Sequence, residues 1–166
     1  MGLVSGNPNT VGNLDESAFG SVRNIGAVDR DEDNDWTHPR PITDNAITLW
    51  RDEDVEQMVV WYMQPHAPYP DLDTSDLPDR DVPWSELEYA RCGEISDETV
   101  REAYTKTLER VLCEVEVLLE NIDAGEVIIT ADHAELLGEW GLYDHPGYAP
   151  VPSVKRVPYV DVSATD

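Results

Sequence analysis

The sequence predicts an α/β fold with a mostly parallel sheet and flanking helices. Three observations carry this expectation. The continuous apolar run Met58-Val59-Val60-Trp61-Tyr62-Met63 has the length and β-branched content of a buried strand. Val100, Tyr104, Leu108, Val111, Val115, Leu118 and Ile122 recur at steps of three and four, the mark of a long amphipathic helix. Glu126-Val127-Ile128-Ile129-Thr130-Ala131 is a second strand-like run. Strand, helix, strand in that order predicts a right-handed crossover joining two parallel strands.

The chain reads as one domain over 1–166, with an irregular N-terminal segment, 1–55, and a recognisable core, 56–163. Leu3-Val4 before Ser5-Gly6-Asn7-Pro8 looks like the end of a strand entering a turn. A chain opening there suggests that an upstream segment or a partner chain completes the sheet. Asp29 to Asp35 is a charged loop, and Trp36 to Pro41 is extended after it. Thr43 or Asp44 then caps a short helix through Trp50.

Pro65, Pro68 and Pro70 stop the first apolar strand. Asp71 to Cys92 reads as a polar loop, long enough to suspect a function or a lid. Ser96 is the expected N-cap of the long helix, with Asp97 and Glu98 favourable to its dipole, and Gly125 ends it. Val157 to Val162 is a weaker third strand, placed at an edge by Pro158.

Charge narrows the function. The 166 residues hold 11 Lys+Arg against 35 Asp+Glu, a net charge of -24. Phosphate backbones and anionic lipid surfaces require clustered cations, so nucleic acid and membrane are excluded as partners. The carboxylates are dispersed between patterned apolar segments. That favours a folded domain with an acidic, halophilic coat over a disordered acidic tail. Met1 to Thr10 has no leader pattern, and no run approaches the roughly 18 apolar residues of a membrane helix. Cys92 and Cys113 form no CxxC pair and read as free thiols of a reducing cytoplasm.

Parallel sheets bind ligands beyond the carboxyl ends of their strands. The first strand runs out at His66 and the second at Asp132-His133. The Asp132 oxygen and the His133 nitrogen suit Zn²⁺ or Mn²⁺, and Mg²⁺ less well. Neighbouring side chains converge only where a strand has ended. The bland alternative is a strand-end Asp capping the next helix beside a surface His. His66 between prolines and His145 before Pro146-Gly147 have a similar alternative as loop hydrogen-bonders, and His38 reads as structural or solvated. Glu135 and Glu139, spaced i, i+4, read as a solvated helix face, and Trp140 and Tyr143 as core or rim. The acidic clusters Asp29–Asp35 and Asp52–Asp54 lack a calcium-loop spacing and read as solvated surface.

The run Thr130-Ala131-Asp132-His133-Ala134-Glu135, followed by Leu137-Gly138-Glu139-Trp140-Gly141-Leu142-Tyr143, resembles a signature of the alkaline phosphatase and sulfatase superfamily. Pro65-His66-Ala67-Pro68-Tyr69 resembles a second element of that family, and Lys155-Arg156-Val157-Pro158 a third. The likeness is to the C-terminal part of a sulfatase-like domain of halophilic archaeal type. It implies an alkaline-phosphatase-like fold lacking its first strand. Asp132 and His133 would be metal ligands for Mn, Zn, Mg or Ca. His66 and His145 would be catalytic, facing a small-molecule or polymer sulfate or phosphate ester. The metal would polarise a phosphoryl or sulfuryl oxygen for hydrolysis or transfer.

The sequence departs from the family in three places. Ala134 stands where Gly is usual. First-strand acids are not recognisable. Neither is a nucleophile, since Cys92 and Cys113 follow the His66 motif and Ser5 has no acidic neighbour. The resemblance therefore implies a hydrolase fragment whose nucleophile lies upstream. The alternatives are a non-catalytic relative serving as a binding or interaction module, and a purely structural fragment.

Overall fold

The computed structural model describes residues 1–10, 13–25, 30–31, 36–78, 85–147 and 151–162. Asp29 and residues 32–35 of the expected charged loop lie outside the described residues, as does Pro83. The described residues form an α/β structure around a three-stranded parallel sheet and three helices.

The central strand of that sheet, β1 (Gly2–Ser5), comes from the segment read as irregular. It pairs in parallel with β2 (Ser21–Asn24) on one side and β5 (Met58–Trp61) on the other. Val4 stands opposite Arg23 and Val60. All four residues of β1 are buried. Four residues are too few to show a period, so burial on both faces left little pattern to read.

Helix α1 (Pro39–Asp52) begins ahead of the expected caps, Thr43 and Asp44. His38 is the N-cap residue and Pro39 opens the helix. Proline suits that place, because its φ is preset and its missing N–H would have been unpartnered. Thr43, freed from capping, meets the Tyr62 hydroxyl at 2.8 Å. Ile42, Ala46 and Leu49 form the buried stripe of α1 and pack with Val4 and Leu118. The approach is close at Gly2, where an added Cβ would stand 2.7 Å from a Leu49 methyl.

The long helix α3 (Asp97–Asn121) starts at the expected cap, where the Ser96 hydroxyl accepts from Thr99 N–H at 3.1 Å. It stops at Asn121, short of Gly125. The Arg51 guanidinium of α1 donates there to the Asn121 carbonyl at 3.0 Å and to its side chain at 2.9 Å. α3 joins two cores. Leu118 belongs to the sheet-side core with Val4 and Leu49. Val100 and Ala103 belong to a second core with Ala67, Tyr69, Leu87, Ala90, Leu137 and Tyr143. Leu87 and Ala90 lie on α2 (Ser85–Arg91), inside the stretch read as loop. Seven residues carry too little of a 3.6-residue period to reveal a helix.

The expected crossover is not formed among the described residues. Strand β6 (Ile128–Thr130) pairs antiparallel with β9 (Tyr159–Asp161), in a sheet separate from β5. The runs that define β5 and β6 are also less buried than expected, with Val59 44% and Ile128 54% exposed. An apolar β-branched run reports strand propensity, whereas its partner and its burial are tertiary outcomes. The edge expectation for Pro158 agrees with β9, which starts at the next residue and sits in a two-stranded sheet.

Two further antiparallel pairs complete the described strands. They are β3 (Arg30–Asp31) with β4 (Trp36–Thr37), and β7 (Leu136–Leu137) with β8 (Tyr143–Asp144). Among the described residues, no helix is long and apolar enough to cross a membrane.

Candidate functional site

The β7–β8 hairpin builds the site. Leu136 pairs with Asp144 and Leu137 with Tyr143, so Glu135 and His145 flank the open end of the hairpin side by side. Gly138 and Gly141, at φ 104° and 71°, turn the chain between the two strands. Gly138 also sits against the Asp97 carboxylate, where a Cβ would collide. The Tyr143 hydroxyl donates to Asp97 Oδ1 at 2.6 Å and anchors the hairpin to the first turn of α3.

Glu135 is the centre of the cluster. Its side chain is only 6% exposed, which corrects its reading as a solvated helical residue. There is no helix here, because the hairpin strands and a 3₁₀ turn, Glu139–Gly141, occupy the segment. Glu139 is also engaged, accepting from Leu137 N–H at 2.7 Å.

The four histidine and aspartate positions singled out from the sequence meet around Glu135. His145 Nδ1 lies 2.6 Å from Glu135 Oε1 and 2.9 Å from Asp144 Oδ1. His133 Nδ1 lies 3.7 Å from the same Glu135 oxygen, and His133 Nε2 lies 3.7 Å from Asp132 Oδ2. The His133 and His145 rings stand 4.1 Å apart, centroid to centroid. His66 arrives from the loop after β5 and meets His145 edge-on, with centroids 5.6 Å apart. Asp132 is the outermost member, with its side chain 59% exposed and one oxygen accepting from His133 N–H at 3.0 Å.

Each segment is held from behind. His66 lies between two cis peptide bonds, Gln64–Pro65 and Ala67–Pro68. Its Nδ1 is 2.6 Å from the Ala67 carbonyl, which accepts the ring proton. Ala67 and Tyr69 are buried in the second core, and Tyr69 N–H donates to Glu86 of α2 at 3.1 Å. The Ala134 N–H donates to the Val154 carbonyl at 3.0 Å, so the turn after residue 151 backs the second segment. Asp144, at φ 73°, accepts His145 N–H at 2.7 Å and fixes the exit from β8.

The electrostatics tie these residues together. Burial pushes the Glu135 carboxyl up to about 7, with His66 and His133 opposing the shift and Asp144 and Asp132 reinforcing it. Burial, and then the charges of Glu135 and Glu86, hold the Tyr69 phenol well above its ordinary range. The Tyr69 hydroxyl is buried and has no hydrogen-bond partner among the described residues. One donor atom from each of His66, Glu135 and His145 lies within 4.8 Å of the others.

Other residues weighed from the sequence stand elsewhere. Ser5 is buried at the end of β1, where its hydroxyl accepts from Asn7 N–H at 3.1 Å. Cys92 and Cys113 are exposed free thiols, just past α2 and on α3 respectively. Trp140 is 76% exposed on the hairpin turn, while Tyr143 is buried in the second core. A surface recess lined by Arg40, Asp44, Arg51 and Asn121 lies between α1 and α3 and includes none of the histidines.

Sequence reasoning missed Glu135 and Asp144 as members of the cluster. The available signal was the hairpin itself. Glu135 and Leu137 are two apart on a strand and share a face, as do Tyr143 and His145. Gly138 and Gly141 mark the turn between them. The chain matches no known family model, no curated protein and no solved structure.

Proposed function

We propose that this chain is a metal-dependent ester-hydrolase-like domain of the alkaline phosphatase and sulfatase kind, and that the cluster around Glu135 receives the oxyanion of a sulfate or phosphate ester. The observation that carries the reading is the meeting of His66, Asp132, His133 and His145, drawn from three separate segments, around one buried carboxylate. Charge supports a cation there. Asp132, Glu135 and Asp144 each lie within 4 Å of a ring nitrogen of His133 or His145, and their negative charge repels an ester anion unless a cation stands between them. The donor set of imidazole and carboxylate suits such an ion.

The ion would supply Lewis acidity at a phosphoryl or sulfuryl oxygen. The chain's own residues do the rest. The imidazoles offer N–H donors to equatorial oxygens and a proton to the leaving oxygen. Asp144 and the Ala67 carbonyl hold two of the rings in place. The resemblance assigns Asp132 and His133 to the ion, and His66 and His145 to the ester. The nucleophile of a complete hydrolase would come from an upstream segment or a partner chain, since Ser5 is buried and neither Cys92 nor Cys113 belongs to the His66, Glu135, His145 group.

That last point favours a second reading, a non-catalytic relative that binds the same esters without turning them over. Equilibrium dialysis of phosphate against the full chain in molar KCl, with Zn²⁺ or Mn²⁺, tests the shared claim. Binding should need the metal and be lost in His66→Ala. Absence of metal-dependent binding, or binding indifferent to His66→Ala, overturns it. Hydrolysis of nitrophenyl phosphate and sulfate then separates the two readings, turnover marking the hydrolase.

A further inference from the structure

The distances divide the work within the cluster differently from the resemblance. We propose that His66, Glu135 and His145 form the metal centre of this chain, a two-histidine, one-glutamate donor set for Zn²⁺ in which Glu135, and not Asp132, supplies the carboxylate. The inference rests on the reading of this cluster as the functional site, and it moves His66 and His145 from ester contacts to metal ligands.

Geometry is the first support. One donor atom from each of the three residues lies within 4.8 Å of the other two. Donors around a tetrahedral zinc ion stand roughly 3.3 Å apart, given metal–ligand bonds of about 2.0–2.2 Å. Side-chain shifts of about 1.5 Å or less would bring the three donors to that spacing. Two of the ligands flank one pinned hairpin, so little backbone has to move.

The tautomer of His66 is the second support. Its Nδ1 proton is given to the Ala67 carbonyl at 2.6 Å, which puts the ring's lone pair on Nε2. A backbone carbonyl on the far nitrogen is the usual orienting partner of a metal-binding imidazole. His145 faces Glu135 through its Nδ1, at 2.6 Å, with Asp144 Oδ1 beside the same nitrogen at 2.9 Å.

The third support is the contrast between the two carboxylates. Glu135 is 6% exposed, and its ion-pair partners are His145 and His133. A carboxylate withdrawn from water calls for a compensating cation, which a bound metal ion would supply. Asp132 is 59% exposed and keeps its hydration, so no such demand acts on it. Two nitrogens and one oxygen also select among the metals, because Mg²⁺ and Ca²⁺ take all-oxygen shells while imidazole suits zinc. Three protein ligands leave a fourth position for water or for an ester oxygen, the pattern of catalytic zinc sites.

The test is a titration of the full chain with Zn²⁺ by calorimetry and with Co²⁺ by visible absorption. It is run in molar KCl, on a Cys92→Ser, Cys113→Ser background so that exposed thiols do not compete. One equivalent should bind, with the visible bands of tetrahedral Co²⁺. His66→Gln, Glu135→Gln and His145→Gln should each weaken binding at least about 100-fold, the upper end of what losing a merely supporting partner costs. Asp132→Asn should change it less than about threefold. Circular dichroism checks the fold of each variant. Should buried Glu135→Gln unfold, the two histidine variants, at part-exposed positions, decide the matter. Loss of binding in Asp132→Asn with binding kept in His66→Gln and His145→Gln overturns the proposal, as does the absence of any stoichiometric site. Stoichiometric zinc on these ligands without phosphate binding keeps the metal centre and removes the ester reading. Phosphate binding that depends on Asp132 and survives His145→Gln does the reverse.

Discussion

Glu135 and His145 meet at 2.6 Å across the open end of the β7–β8 hairpin, and this contact ties the expected site residues to a carboxylate that the sequence alone places in solvent. The pair depends on the hairpin pairing and on its anchor to α3.

Removing the anchor should loosen the site without touching it. The Tyr143 hydroxyl donates to Asp97 at 2.6 Å from within the second core. Tyr143→Phe should cost about 1.5–3 kcal/mol in denaturant unfolding, the range for a hydrogen bond to a charged group. Zinc affinity should fall with it, although Tyr143 is not a ligand. An unchanged denaturation midpoint would show that the hydrogen bond does not hold the hairpin.

The two hairpin glycines should differ. Both have positive φ, 104° at Gly138 and 71° at Gly141. At Gly141 an added Cβ meets nothing within 4 Å, whereas at Gly138 it runs into the Asp97 carboxylate. Gly141→Ala should cost about 1–2 kcal/mol for the left-handed backbone alone. Gly138→Ala should cost clearly more, because Asp97 must also move and release Tyr143. Equal losses in parallel unfolding curves would contradict the close approach.

Metal-free stability should depend on pH through Glu135. Burial pushes its carboxyl up to about 7 in the folded chain, from an ordinary 4.5. Between those values the folded state holds a proton that the unfolded state has released. Stability from this group is therefore greatest at low pH and falls as pH rises from 4.5 to 7, by up to roughly 3 kcal/mol. Glu135→Gln should flatten that part of the curve. Urea unfolding in EDTA from pH 4.5 to 8, with wild type and variant side by side, isolates the effect. Parallel curves would rule it out.

The acidic coat should make folding salt-dependent. The net charge of -24 is spread along the chain. Raising ionic strength from 0.1 M to 1 M shortens the screening length from about 10 Å to about 3 Å. The thermal midpoint by circular dichroism should rise by more than about 10 °C over that range, at several kcal/mol of relieved repulsion. A flat response would remove the halophilic reading of the composition.

The features legible in the sequence were local ones. Ser96 caps α3 as its position foretold, because an N-cap needs only a hydroxyl beside the first turn. The steps of three and four from Val100 to Leu118 record one helix face, and Val100, Val111 and Leu118 on it are buried. Met58 to Trp61 and Ile128 to Thr130 form strands where β-branched residues cluster. His66, Asp132 and His133 stood out because each lies where an expected strand ends in a residue able to bind a metal or move a proton, whereas His145 stood out only through the family resemblance.

Partnership was decided only in three dimensions. Nothing within Gly2–Ser5 says that it occupies the middle of the sheet, since that place is set by Val4 meeting Ile42 and Leu49 of a helix far along the chain. Nothing within Ile128–Thr130 says that its neighbour is Tyr159–Asp161 and not Met58–Trp61. Glu135 is read from the sequence as one more carboxylate among 35 acidic residues. It becomes the centre of the cluster because hairpin pairing and the packing of Leu136 and Leu137 withdraw it from water. Caps, periods and strand propensity act over a few residues and are written in the order of the chain. Burial and convergence depend on which distant surfaces meet, so the chemistry of the site belongs to the tertiary structure.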